Sequence, residues 1–382
     1  MQRNVAIVGY SQTEYSPQAE FPRERMLYSL VKSLLDSLGA SRDDIGTFVL
    51  CSNDFQDGRT ISEVFTIPWL GAYFKDQTKV DLDGANALIY GLMRVLSGNY
   101  DTALIVGYAM GGSEHLNQYI QKFLLDPLYD RQVGLQNEIS AAALQANAYM
   151  HKYGMTKQQL ASIAAKNLRC AAKNPKALRR LPNASAADVL NSRPLYSPLH
   201  ELHMYPPTDG ACAILIAADK SVEKFTDKPV WIKGVACCQD TYYLGDRIIN
   251  RCASAEKAAQ KAYAMAGITE PSKQINLAEI HSLFASQEPI LAEALGLYPE
   301  GSGGQVVDEG WSDLEGRLPL NPSGGPLGAN PITTGGLIRI AEAAAQLRGE
   351  AGDAQVKNAK IAVAHGQTGI CAQHNAVVVL AR

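Results

Sequence analysis

Two stretches of the chain carry the same order of apolar and polar positions. Val5-Ala-Ile-Val-Gly9 is a short unbroken apolar run closed by glycine, and Val230-Trp-Ile-Lys-Gly234 has nearly the same form. Short runs of this kind, rich in β-branched residues, predict buried strands. Residues 84–98 set Leu88, Leu92, Val95 and Leu96 along one helical face, and residues 336–348 do so with Leu337, Ile340, Ala344 and Leu347. Each predicted helix is followed by an apolar strand, at 100–107 and at 356–366. One order used twice predicts an α/β fold of two halves that pack their helices between sheets. The boundary falls near the polar stretch 220–229, giving a first half of residues 1–225 and a second of 226–382. The region from about 113 to 197 exceeds the repeat and reads as helical at 138–153 and 156–174. It predicts a helical insertion in the first half, of the sort that lines a substrate entrance.

Composition narrows the function. Of 382 residues, 46% are hydrophobic, and 35 basic side chains against 38 acidic leave a formal charge of -3. That is no footprint for nucleic acid or an anionic membrane, and no apolar run approaches the ~20 residues that span a bilayer. The chain enters a strand at once after Met1, which argues against a cleaved signal. The seven cysteines, Cys51, Cys170, Cys212, Cys237, Cys238, Cys252 and Cys371, include no CxxC pair or other metal spacing. Reduced thiols in a cytoplasmic protein fit this pattern.

The chemistry is most legible in Lys79-Val-Asp-Leu-Asp-Gly84, where a short strand feeds the first predicted helix. Asp81 and Asp83 stand there as candidate bases or as caps of that helix, whose N-terminus welcomes carboxylates. Three further segments are Tyr205-Pro-Pro-Thr-Asp-Gly-Ala-Cys-Ala, Glu279-Ile-His-Ser-Leu-Phe-Ala-Ser-Gln-Glu, and Asn321-Pro-Ser-Gly-Gly-Pro-Leu-Gly-Ala-Asn-Pro. With Val5 to Tyr15 they resemble the thiolase superfamily along nearly the whole chain. The resemblance is to sterol-carrier-protein-type thiolases and to thiolase-like subunits of multicomponent acyltransferases and steroid side-chain aldolases. It implies a duplicated, five-layered αβαβα fold.

Carried over residue by residue, the resemblance puts Asp81 where the family keeps its nucleophilic cysteine. His281 falls at the oxyanion-hole position, Asn330 in place of a second histidine, and His365 near a C-terminal cysteine. A carboxylate does not replace a thiolate as acyl carrier, because acylation would give a labile mixed anhydride. The resemblance therefore implies a subunit acting on coenzyme A thioesters, with no bound cofactor and no metal. It would make or break a carbon–carbon bond with His281 and Asn330 as oxyanion donors and Asp81, Asp83 or His365 as base. Gly324, Gly325 and Gly369 would border the substrate. The alternative is a catalytically silent subunit that scaffolds an active thiolase. Either way the resemblance implies a homodimer or heterodimer with another thiolase subunit, and a small zinc-ribbon/OB-fold partner.

Overall fold

The computed structural model describes residues 3–110 and 122–382. The first predicted strand is β1 (Val5–Gln12), and the first half adds β2 (Thr47–Cys51), β3 (Asp76–Val80) and β4 (Thr102–Ala109). A two-residue β5 (Pro207–Thr208) leads into β6 (Gly210–Ala218). The second half contributes β7 (Val230–Gln239), β8 (Leu277–Ile280), the short β9 (Asn330–Pro331), β10 (Ile361–Thr368) and β11 (His374–Ala381). Their order is β3-β2-β4-β6-β1-β7-β11-β10-β8, with β5 and β9 paired apart.

The duplication is visible in the pairing. From β1 outward through β6, β4 and β2 the ladders run antiparallel, antiparallel, parallel. From β7 through β11, β10 and β8 they repeat that sequence. The halves meet where β1 pairs with β7, Ala6 opposite Trp231 and Ile7 opposite Val230. The first half has one strand more, β3, at the sheet's end. The connection from β4 to β6 spans about a hundred residues, whereas its counterpart from β10 to β11 is a tight hairpin at 369–373.

The two predicted amphipathic helices are Gly84–Leu96 and Gly335–Arg348. They lie between the first-half and second-half strands of this order, two sheets joined only at β1–β7, where Leu88, Leu92, Leu337 and Ile340 join Ile105, Ile214, Ala362 and Val378 in one core. Helix Arg23–Ser37 covers the outer face of the first sheet through Leu27, Leu30 and Leu34. Helix Ala253–Ala266 covers the second sheet through Ala255, Ala258 and Ala262. This makes five layers, αβαβα. The insertion helices Glu138–Tyr153 and Lys157–Ala171 belong to the same outer cluster as Ala255, Phe284 and Leu291. A segment that leaves the first sheet thus roofs the second. Strand β10 begins at Ile361, so 356–360 lies outside it. The part of the insertion at 113–121 lies outside the described residues. No helix among them is long and apolar enough to cross a membrane.

Candidate functional site

Both central helices begin at the same place. Asp83 is the N-cap of Gly84–Leu96, its Oδ1 accepting from the Ala85 N–H at 2.9 Å. Its Oδ2 accepts from the Gly336 N–H at 3.0 Å, in the first turn of the other central helix and 253 residues away in sequence. One carboxylate therefore satisfies orphan donors of two helices and receives the positive end of both dipoles. Glycine is required around it: a Cβ on Gly336 or Gly366 would come within 1.8 or 2.1 Å of Asp83 Oδ1. Burial pushes this carboxyl up to about 6 against the lowering pull of those N–H groups.

His281 follows β8 directly and stands beside this carboxyl, its Nδ1 3.5 Å from Asp83 Oδ2. Gln367 N–H donates to Nδ1 at 3.3 Å, so the ring proton sits on Nε2, which donates to Asn330 Oδ1 at 2.8 Å. Burial pulls the imidazole down to about 4, and it is neutral near pH 7. Asn330 is fixed by the β5–β9 ribbon, where Thr208 Oγ1 accepts from its main-chain N–H at 3.2 Å. With Oδ1 taken by the imidazole, the amide presents its Nδ2 hydrogens.

His281 and Asn330 line a cleft of about 320 Å³ together with Asp81, Leu82, Thr333, Gln367 and Gly369. The insertion supplies Phe123, Leu124, Asp130 and Glu138 to its wall. Tyr205, itself fully buried, donates from its hydroxyl to Glu138. Tyr242 also borders the cleft; it and Tyr243 lie beyond the end of β7 with rings 5.4 Å apart.

The predicted residues divide three ways. His281, Asn330, Asp81 and Gly369 reach the cleft. Asp81 is well exposed there, 3.2 Å from the Lys79 ammonium. Asp83 lies behind His281 rather than in the cleft. His365 does not reach it: the ring is fully buried on β10, its Nε2 against Asn375 Oδ1 at 2.8 Å, and burial lowers it to about 3. Gly324 and Gly325 are also elsewhere, in left-handed conformations packed against Ala171 and Asn321. Nor does a cysteine face the cleft among the described residues. Cys51 is buried, its Sγ–H donating to the Thr333 main-chain oxygen at 3.2 Å, and burial raises its pKa. Burial pushes the Cys371 thiol up to about 12. No group of three or more His, Cys, Asp or Glu among the described residues is placed to hold a metal ion. The reading from sequence missed Gln367, Thr333, Glu138 and Tyr205, which come from four separate segments; only Tyr205 stands in a segment singled out above for the resemblance, and no role is attached to it there.

Asp83 makes a direct prediction. Its folded pKa lies above the ordinary value of 3.8, so between about 4 and 6 the native state holds the extra proton. Its contribution to stability is present below that window and is lost as pH rises through it. The sum is about 3 kcal/mol for a shift of this size. Urea titrations of wild type and Asp83→Asn should therefore diverge against wild type between pH 4 and 7; parallel curves would mean the carboxyl titrates normally.

A family model described as "Thiolase C-terminal domain-like" matches residues 240–382. The chain is 29% identical to the acetyl-CoA acetyltransferase of Methanothermobacter thermautotrophicus over 97% of its own length and 99% of that protein's. It is 31% identical to the non-specific lipid-transfer protein-like 2 of Caenorhabditis elegans, covering 74% of this chain and 72% of that one. Against sterol carrier protein 2 of Oryctolagus cuniculus the alignment spans 54% of the longer relative. Among solved structures, the Ltp2-ChsH2(DUF35) aldolase superposes with a TM-score of 0.83 at 23% identity, covering 99% of this chain and 97% of that one. The chain belongs to the thiolase superfamily, on the side of the sterol-carrier-protein-type thiolases.

Proposed function

We propose that this chain is a thiolase-fold subunit that cleaves or forms a carbon–carbon bond of a coenzyme A thioester without a covalent acyl-enzyme. The observation that carries the reading is the cleft itself: the Asn330 amide faces it as a donor held in place by His281, whose one ring proton is spent on Asn330 Oδ1, Asp81 borders it, and no thiol among the described residues does. In the cleavage direction the substrate is a β-hydroxyacyl thioester. Asp81 takes the hydroxyl proton, the Cα–Cβ bond breaks, and a carbonyl forms at Cβ. The electron pair passes to the thioester enolate, whose oxygen the Asn330 N–H groups hold. A proton returned to Cα gives the shorter acyl thioester. Asp81→Asn should abolish cleavage while ligand binding remains, read by coupled release of the aldehyde or ketone; undiminished turnover would remove Asp81 from its role.

The same lack of a thiol supports a second reading, a silent subunit that pairs with a cysteine-bearing thiolase. Incubation with radiolabelled acyl-CoA separates them, because that reading predicts all covalent label on the partner. Both readings call for association. Strand β3 pairs on one side only, and Phe65, Trp69, Tyr73 and Phe74 are exposed nearby. An open edge flanked by aromatic side chains favours a second thiolase-fold subunit. Light scattering should find twice the chain mass, and Phe74→Glu should shift it toward the single chain. The second component named in the Ltp2-ChsH2(DUF35) aldolase supports a further partner, for which the family resemblance implies the zinc-ribbon/OB-fold kind.

A further inference from the structure

Three glutamines form a chain from the insertion to the wall of the cleft. Gln145 Nε2 donates to the main-chain oxygen of Ile249 at 3.0 Å, which leaves its Oε1 to accept from Gln287 Nε2 at 3.3 Å. Gln287 Oε1 accepts from the Leu283 N–H at 3.1 Å and from Gln367 Nε2 at 2.9 Å. Gln367 Nε2 also donates to the main-chain oxygen of His281. A main-chain carbonyl only accepts and a main-chain N–H only donates, so Ile249, Leu283 and His281 fix the direction of all three amides. None of them turns over without breaking a bond to the backbone.

The chain ends at Gln367 Oε1. Both hydrogens of its amide nitrogen are committed, and the oxygen is buried without a partner among the described residues. Gln367 is only 2% exposed, yet it borders the cleft. Buried amide oxygens are seldom left in this condition, and one held there by three backbone anchors is an acceptor awaiting a donor. Its place is defined by His281, which Gln367 contacts twice, through its main-chain N–H and through its side chain. The acceptor therefore stands one side chain away from the donors of the His281–Asn330 pair.

We propose that in the bound ground state, before Asp81 takes its proton, the β-hydroxyl of a β-hydroxyacyl thioester donates a hydrogen bond to Gln367 Oε1, which thereby selects hydroxy substrates over their deoxy and keto counterparts. This rests on reading the cleft as an acyl-thioester site. A thioester oxygen is an acceptor and needs the Asn330 donors; the β-hydroxyl is the donor nearest to it on the acyl chain. A methylene at that position leaves the glutamine oxygen desolvated and unpaired. A ketone sets oxygen against oxygen. Sites built around such a polar group reject the analogue that lacks its partner far more strongly than apolar pockets sort by size.

The test is calorimetric titration of the purified protein with 3-hydroxybutyryl-CoA, butyryl-CoA and acetoacetyl-CoA. The hydroxy compound should bind at least about tenfold more tightly than either analogue, the weight of one buried polar group left unpaired. In Gln367→Met that preference should fall to near unity while butyryl-CoA still binds. Equal affinities in the wild-type protein overturn the proposal without recourse to any variant, and so does a preference that survives in Gln367→Met. Cleavage of β-hydroxyacyl-CoA without hydroxyl preference would leave the proposed function standing and this selection refuted. Hydroxyl preference without cleavage would do the reverse, and failure of all three thioesters to bind would remove both.

Discussion

Truncating His281 to alanine is expected to lower carbon–carbon cleavage about 100- to 1,000-fold, the usual cost of one oxyanion donor, because it releases the Asn330 amide that the imidazole holds in place. The loss should appear in kcat more than in KM, since the charge that the pair stabilises develops only in the transition state. Asn330→Ala should cost as much, and the double variant little more than either single one. The imidazole reaches the cleft through the amide it orients at 2.8 Å, so the two act as one unit. Because burial holds His281 down to about 4, its protonation should not limit turnover until the pH falls below about 5. A fully additive double variant, or turnover unchanged in the single ones, would dissolve the assigned unit.

The second large effect is on folding. Arg339, in the middle of a central helix, donates at 2.6 Å to Glu279 Oε2 on β8 and at 2.7 Å to Ser323 Oγ. Ser323 closes the array through its own hydroxyl, 2.7 Å from Oε2, and its N–H, 3.0 Å from Oε1. Both charged side chains are almost wholly buried. Arg339→Met leaves a desolvated carboxylate without its cation, a change that costs about 3–5 kcal/mol. Burial already raises the Glu279 pKa, and losing the guanidinium raises it further. A raised carboxyl is the more unfavourable the higher the pH, so the deficit should be largest near pH 8 and shrink toward pH 5 as Glu279 takes up a proton. Denaturant midpoints equal to wild type at pH 8 would show that the pair contributes nothing.

Much of the architecture was readable from periodicity. The central helices were visible because a face buried between two sheets needs apolar residues at every turn, and their starts fell within one residue of the observed ones. The insertion helices were visible for the same reason, with well-matched caps at Asn137 and Thr156. The site was harder. Asp81 and Asp83 are two residues apart and look alike in sequence, but a bend at 81–82 leaves one in solvent and turns the other inward. His365 carried the family's expectation, yet its ring is buried within β10 against Asn375, while Gln367, two positions nearer the strand's end, borders the cleft. Gly324 and Gly325 stand instead at the start of a short helix, Gly325–Gly328, where the close neighbours are Ala171 and Asn321 rather than a substrate cleft. The glutamine chain joins positions 145, 287 and 367, and nothing local in any of the three segments announces it.

The shared cap at Asp83 bears on how such a chain can be divided. Its carboxylate belongs to the first half, while one of the two helices it terminates belongs to the second. A polypeptide severed in the linker at 223–229 would give a C-terminal fragment whose long helix opens on bare amides. Its N-terminal companion would carry an acid with half its donors gone. Complementation of the two fragments would have to rebuild that junction together with the β1–β7 ladder, so the keystone of the duplication is also a point at which its separate pieces become one molecule.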